Sequence, residues 1–178
     1  MPLTTPPASR PRDLLSGRIK SPLGEILIVV DETETLRALD FADFEDRMVR
    51  LLGRHYGDLA RREAEVPGTV SGALEAYFDG ELKALEPLSV ATHGTDFQRT
   101  VWAALRTIPT GQTDSYKGLA GRINRPTAMR AVGLANGANP IALVVPCHRV
   151  IGAGGSLTGY AGGLARKAWL LKHETVVV

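Results

Sequence analysis

Cysteine is almost missing from this chain: there is one, Cys147. A lone thiol cannot close an internal disulfide, which fits a reducing compartment, and a cytoplasmic location is expected. It also excludes a zinc site built from several cysteines, since only the scattered His55, His93, His148 and His173 remain as partners. No apolar run approaches the roughly 20 residues of a membrane-spanning helix, so no membrane association is expected. The opening MPLTTPPASRPRD lacks the apolar center of a secretory signal, and residues 1–16 read as a disordered tail. Acidic residues are scarce in one half only. Residues 92–178 hold Asp96, Asp114 and Glu174 against ten Lys+Arg, or +7, whereas residues 1–91 carry 16 Asp+Glu against 11 Lys+Arg, or −5. A compact basic half suits a polyanionic partner, although a basic surface also simply maintains solubility.

What is present divides at Ala91-Thr92-His93-Gly94, where composition and charge change. Residues 17–91 read as a small α+β domain, with strands at Gly17–Lys20, Gly24–Val30 and Leu36–Phe41. Phe44, Met48, Leu51, Leu52 and His55 recur at helical spacing up to Gly57, and a shorter helix covers Ser71–Phe78. His55 falls among core positions and His93 in the linker, and neither suggests chemistry.

Residues 92–178 read as mainly helical. Thr95-Asp96-Phe97-Gln98 has the pattern of a capping box. Ser115 is placed to cap a short helix, Pro126 breaks the chain, and a second helix runs from Thr127 to Asn136. Two short helices joined by a tight turn are a helix-turn-helix candidate, or else two ordinary core helices. The second helix, TAMRAVGLANG, leaves little bulk on its surface beyond Met129 and Arg130. Its small residues suit close approach to another surface, and Arg130 either reaches into that surface or caps a neighboring carbonyl.

Ile141–Val145 is a continuous, β-branched apolar run and reads as a buried strand ended by Pro146. Cys147 would then sit where a rigid element ends. A buried lone cysteine is commonly an inert small hydrophobe. Here His148 and Arg149 follow it, and a nearby cation or imidazole favors the nucleophilic thiolate. His148 needs a partner to orient it. Glu174, after the amphipathic segment Leu164–His173, is one of three acids available in this half.

Four blocks now carry a resemblance: GTDFQRTVWAALRTIPTGQTDSY, RAVGLANGANP, VVPCHRVIG and GYAGGLARKAWLLKHE, in this order from Gly94 to Glu174. Together they resemble the O6-alkylguanine-DNA alkyltransferases, the methylated-DNA–protein-cysteine methyltransferases. LEAYFDGEL is similar to that family's smaller domain. The resemblance implies an α+β protein: a ribonuclease-H-like N-terminal domain, then a helical domain with a winged-helix-like helix-turn-helix.

It implies single-turnover repair, in which an alkyl group passes from O6-alkylguanine in DNA to Cys147, with O4-alkylthymine a further candidate substrate. By the same resemblance His148 acts as base through a water, Glu174 orients it, Asn139 braces the turn, and Tyr116 protonates N3 of the leaving base. Val150, Tyr160 and Ala161 would line the pocket for the flipped base, Ala161 standing where some relatives have serine. Thr127, Ala128, Met129, Arg130 and Gly133, with Ser115 and Lys117, would meet double-stranded DNA through its minor groove, which is about 6 Å wide. Arg130 would fill the gap left by the extruded base. No cofactor or metal is expected, and the protein is expected to be monomeric in solution. Rival readings are a lesion sensor that does not react, a thiol hydrolase and a transcriptional regulator; Cys147 argues against the first, and no further DNA-binding domain supports the last.

Overall fold

The computed structural model describes residues 6–176 of the 178 in the chain. Two compact units divide it. One comprises Pro7–Gly94 with Pro140–Val144; the other comprises Thr95–Asn139 and the chain from Val145 onward. The boundary expected after Ala91 therefore falls a few residues later, and the first unit takes back a short piece of the second half.

The first unit is built on strands β1 (Leu14–Ser21), β2 (Gly24–Asp31), β3 (Leu36–Phe41) and β4 (Arg61–Glu63), in the spatial order β3-β2-β1-β4. β1 and β2 form an antiparallel hairpin, with Gly24 at φ 108° supplying the left-handed residue of its turn. β2 reads as continuous apolar sequence because Ile26–Val30 is buried on both faces. On one face Leu14, Leu27, Val29 and Ala38 pack with Met48, Leu52 and Tyr56 of helix α1 (Glu45–Tyr56). Each such buried aliphatic side chain contributes about 1.5–3 kcal/mol. Helix α2 (Gly68–Phe78) lies against β1.

Three expectations for this unit change. β4 is an additional strand, pairing in parallel with β1. Its Arg-Arg-Glu sequence carries no apolar alternation because it lies at the sheet edge with little to bury. The tail expected over residues 1–16 is ordered in its described part: β1 begins at Leu14, Arg10 donates to the Tyr56 carbonyl, and the Arg12 and Asp13 amides donate to Glu32. Residues 1–5 of that expected tail lie outside the described residues. His93 is more than a linker residue, since its ring meets Tyr56 edge-on at 5.1 Å.

The apolar run Ile141–Val145 is not a strand. Ile141 forms one isolated parallel bridge with Leu39, flanked by Leu39 N–H to Pro140 O (3.0 Å) and Ala142 N–H to Leu39 O (2.9 Å). The chain then turns: Leu143 has φ 67°, and Val144 N–H bonds back to Ala142 O. Apolar character marked the burial correctly, but a short apolar run does not distinguish a strand from a packed turn. The bridge at Leu39, with another between Leu36 and Val90, covers the edge β3 would otherwise expose.

The second unit contains α3 (Asp96–Leu105), β5 (Asp114–Ser115), α4 (Tyr116–Arg122), α5 (Met129–Gly137), a 3-10 turn at Cys147–Arg149, β6 (Val150–Ile151) and α6 (Leu164–His173). The strands β5 and β6 form a two-residue parallel pair. Thr95 caps α3 in a full capping box with Gln98. The Trp102 indole N–H donates to Ala135 O at 2.8 Å, pinning α3 to α5 across a buried contact. Among the described residues, no helix is long and apolar enough to cross a membrane.

Candidate active site

The helix-turn-helix forms for local reasons. Ser115 accepts the Gly118 amide at 2.9 Å and starts α4. A Cβ at Gly118 would lie 2.0 Å from the Asp114 carboxylate, so only glycine allows that carboxylate to tuck beside the first turn and accept Arg122. Asn124, at φ 57°, reverses the chain before Pro126. α5 starts at Met129, two residues later than expected, and Thr127 lies in the turn. Lys117, Arg122 and Arg130 on this pair of helices, and Arg125 in the turn between them, are all exposed. The surface of α5 is less smooth than the sequence suggested. Met129 is 52% exposed and Leu134, one turn beyond Arg130, is 72% exposed.

The thiol is placed by a carbonyl that gathers two donors. Val145 O accepts Asn139 Nδ2 and the Cys147 amide, both at 2.8 Å. Asn139 is fully buried, so this turn is fixed by a side chain that solvent cannot displace. Cys147 borders a cavity of about 240 Å³. α4 and α5 supply Tyr116, Gly133, Asn136 and Gly137 to its wall; the loop before α6 supplies Gly159, Tyr160 and Ala161. Val150, expected in that wall, is instead fully buried, and its carbonyl accepts Lys167 Nζ. A larger cavity of about 400 Å³ in the first unit is lined by no thiol or imidazole, and its Arg18, Arg61 and Glu45 are spent on one another.

Behind the thiol lies a buried charge cluster. His148 Nε2 is 2.9 Å from Glu174 Oε1, and Arg149 grips both Glu174 oxygens, through Nε at 2.9 Å and Nη2 at 3.0 Å. Arg149 also donates to Ile108 O and Thr110 Oγ1. The sequence suggested that this guanidinium would favor the thiolate; the fold gives it to Glu174. Burial pushes the Glu174 carboxyl up, but the hydrogen bonds and charges of His148 and Arg149 outweigh it and hold it well below the usual range. Burial pushes His148 down; Glu174 opposes this, while the charges of Arg149 and Lys167 add to it. The result is a neutral imidazole beside an ionized carboxylate, a base ready to accept a proton. His148 Nδ1 is buried with no protein partner.

Lys167 organizes the opposite wall. Fully buried, it donates to Val150 O and to Thr158 O (2.8 Å), and Thr158 O also accepts the Tyr116 hydroxyl at 3.3 Å. Burial lowers its pKa to about 8, with the charge of Cys147 acting in the opposite sense.

The fold thus brings Cys147, Tyr116, Tyr160 and Ala161 to one cavity, sets His148, Glu174 and Asn139 behind it, and leaves Arg130, Met129, Thr127 and Lys117 on the surface. Ser115 spends its hydroxyl on the helix cap, Ala128 precedes α5, and Gly133 lies under the Tyr116 ring. Sequence reasoning missed Asn136, Gly137, Gly159 and Lys167. Lysine at 167 did carry a signal: it shares the buried side of α6 with Leu170 and Leu171, where a cation requires a reason.

Comparison with known proteins agrees with this geometry. Residues 96–176 match the family described as 6-O-methylguanine DNA methyltransferase, DNA binding domain, and residues 14–92 match its ribonuclease-like domain. The methylated-DNA–protein-cysteine methyltransferase of Salmonella typhimurium is 53% identical over 163 residues, covering 90% of this chain and 95% of that protein. The one from Methanosarcina acetivorans is 47% identical, covering 87% and 94%. The crystal structure of Mycobacterium tuberculosis OGT in complex with DNA superposes with a TM-score of 0.75 at 42% identity, covering 91% of this chain and 92% of that one. The chain belongs to the 6-O-methylguanine DNA methyltransferase family.

Proposed function

We propose that this protein repairs alkylated DNA by direct reversal, moving the alkyl group of an O6-alkylguanine onto Cys147. The observation that carries this reading is the thiol bordering a small cavity walled by the helix-turn-helix, beside a phenol and in front of a neutral imidazole. Inside a duplex the target carbon cannot meet such a thiol, so the base must be extruded into the cavity. The four exposed cations of α4, α5 and the turn between them would hold the phosphates, α5 would enter the minor groove, and Arg130 would occupy the vacated stack.

In the reaction His148, through a water, takes the thiol proton, and Glu174 stabilizes the imidazolium that forms. The sulfur attacks the alkyl carbon; an S–C bond forms as the C–O6 bond breaks, and the electron pair goes to the base. Tyr116 turns its hydroxyl from Thr158 O to N3 of guanine and delivers a proton, so the base leaves neutral. A thioether remains on Cys147, so each molecule reacts once. We place this activity in the cytoplasm and in a monomer.

The test is intact-protein mass spectrometry after incubation with duplex DNA containing O6-methylguanine. One methyl group per protein molecule is expected, saturating at equal stoichiometry, and none on Cys147→Ala, which should still bind the duplex. An unchanged mass under binding conditions would instead favor the non-reactive sensor.

A further inference from the structure

Charge in a buried cluster has to balance, because an uncompensated ion away from water is strongly unfavorable. His148 and Glu174 are fully buried and Arg149 is nearly so. With the ring neutral, the Glu174 carboxylate and the Arg149 guanidinium cancel, and the cluster requires no further proton. The fork of Arg149 is anchored twice. Nε and Nη2 take one carboxylate oxygen each, while Nη1 donates to Ile108 O and Nη2 also reaches Thr110 Oγ1, on the chain after α3. Nε2 of His148 then donates to an ionized carboxylate, and Nδ1, which has no protein partner, keeps its lone pair.

We propose that Arg149 is a positioning residue for the reaction: by compensating Glu174 it keeps Nδ1 of His148 without a hydrogen, so that the imidazole can take the proton of Cys147. This rests on the transfer reading above and extends it to a residue that acts through the carboxylate. Without the guanidinium, Glu174 would be a buried anion, and the His148–Glu174 pair would regain neutrality by holding one more proton. That proton makes either an imidazolium or a carboxylic acid that donates to Nε2. In both forms Nδ1 carries a hydrogen and can accept no other. The remaining charged groups around the ring act differently. Lys167 on α6 opposes a proton on His148 but donates to Val150 O and Thr158 O, and Cys147 is the group whose proton is taken. The charge of Arg149 holds both Glu174 and His148 down, in the sense this role requires.

The test follows Cys147 reactivity against pH in two assays: methylation by duplex DNA containing O6-methylguanine, and modification by iodoacetamide without DNA. Wild-type rates should fall only below the ordinary imidazole value of 6.5. In Arg149→Leu that acid limb should move up by about one pH unit or more, a loss of about tenfold at a pH on the limb. Arg149→Gln, which keeps hydrogen-bond donors but no charge, carries the same expectation should the leucine variant not fold. Arg149→Lys keeps the charge and should hold the limb near its wild-type position. Adding Glu174→Gln to either neutral variant should bring the limb back, since no anion remains to be balanced. An unshifted limb in the neutral variants would overturn the proposal. So would an equal shift in Arg149→Lys, because the shape of the fork rather than its charge would then matter. If iodoacetamide shows these limbs while the duplex delivers no methyl group, the transfer reading fails and the compensation of Glu174 by Arg149 stands.

Discussion

Glu174 Oε1 lies 2.9 Å from His148 Nε2, although 26 residues separate them and neither is exposed to solvent. The contact is sustained by a third group. Arg149 holds both carboxylate oxygens, and without it an ionized Glu174 would stay buried without its guanidinium.

Breaking that arrangement should be costly. Arg149→Leu leaves the Glu174 charge without its cation, and Ile108 O without its donor. Removing one partner of a buried pair costs about 3–5 kcal/mol. Urea unfolding followed by tryptophan fluorescence checks this, since both tryptophans, Trp102 and Trp169, lie in the second unit. A loss below about 1 kcal/mol, the size of a surface pair, would show the cluster to be energetically idle.

Acid should loosen the same unit in two stages. His148 titrates lower in the folded chain than its ordinary 6.5, so below pH 6.5 the unfolded state binds the extra proton and stability falls. Glu174 is depressed too; its contribution is present above its ordinary 4.5 and is lost as pH drops toward the folded value. Unfolding midpoints measured from pH 8 down to about pH 2 should decline through both windows. His148→Gln should flatten the upper one and shrink the lower, since His148 is among the groups that hold the Glu174 carboxyl down.

Lys167→Met separates chemistry from stability. The substitution strips Val150 O and Thr158 O of their shared donor, while relieving the burial of a charge. Transfer should slow about tenfold or more, as two carbonyls lose their partner. The melting temperature should change little, and amide exchange in the loop between β6 and α6 should quicken. Unchanged exchange and an unchanged rate would show that the clamp does not position the wall.

Arg130→Ala should weaken repair of paired lesions more than reaction with free O6-methylguanine base. The free base leaves no gap to fill, so comparing the two rates isolates the contribution to extrusion. Equal losses would assign Arg130 to something other than the vacated stack.

Much of this molecule could be read along the chain because it depends on near neighbors. Short apolar and β-branched segments bounded by turn signals marked β1 to β3, Thr95 and Ser115 marked helix starts, and the Pro-Cys-His-Arg stretch marked the nucleophile. Other features could not be read this way. β4 pairs through backbone groups that any sequence supplies, and its charged side chains lie at an edge. Ile141–Val145 looked like a strand because apolarity reports burial, and a positive φ at Leu143 turned it instead.

The sequence by itself determined which chemistry is available: one thiol, an imidazole beside it, a phenol, and a basic half with three acids. Hydrogen-bonding capacity and charge are fixed by residue type. Only the tertiary structure decided how those groups are spent. It gave Arg149 to Glu174 rather than to the sulfur, and gave Lys167 to two loop carbonyls. The physical reason is that a polar group's partner depends on distance and on exclusion of water, and both are set by segments remote in sequence.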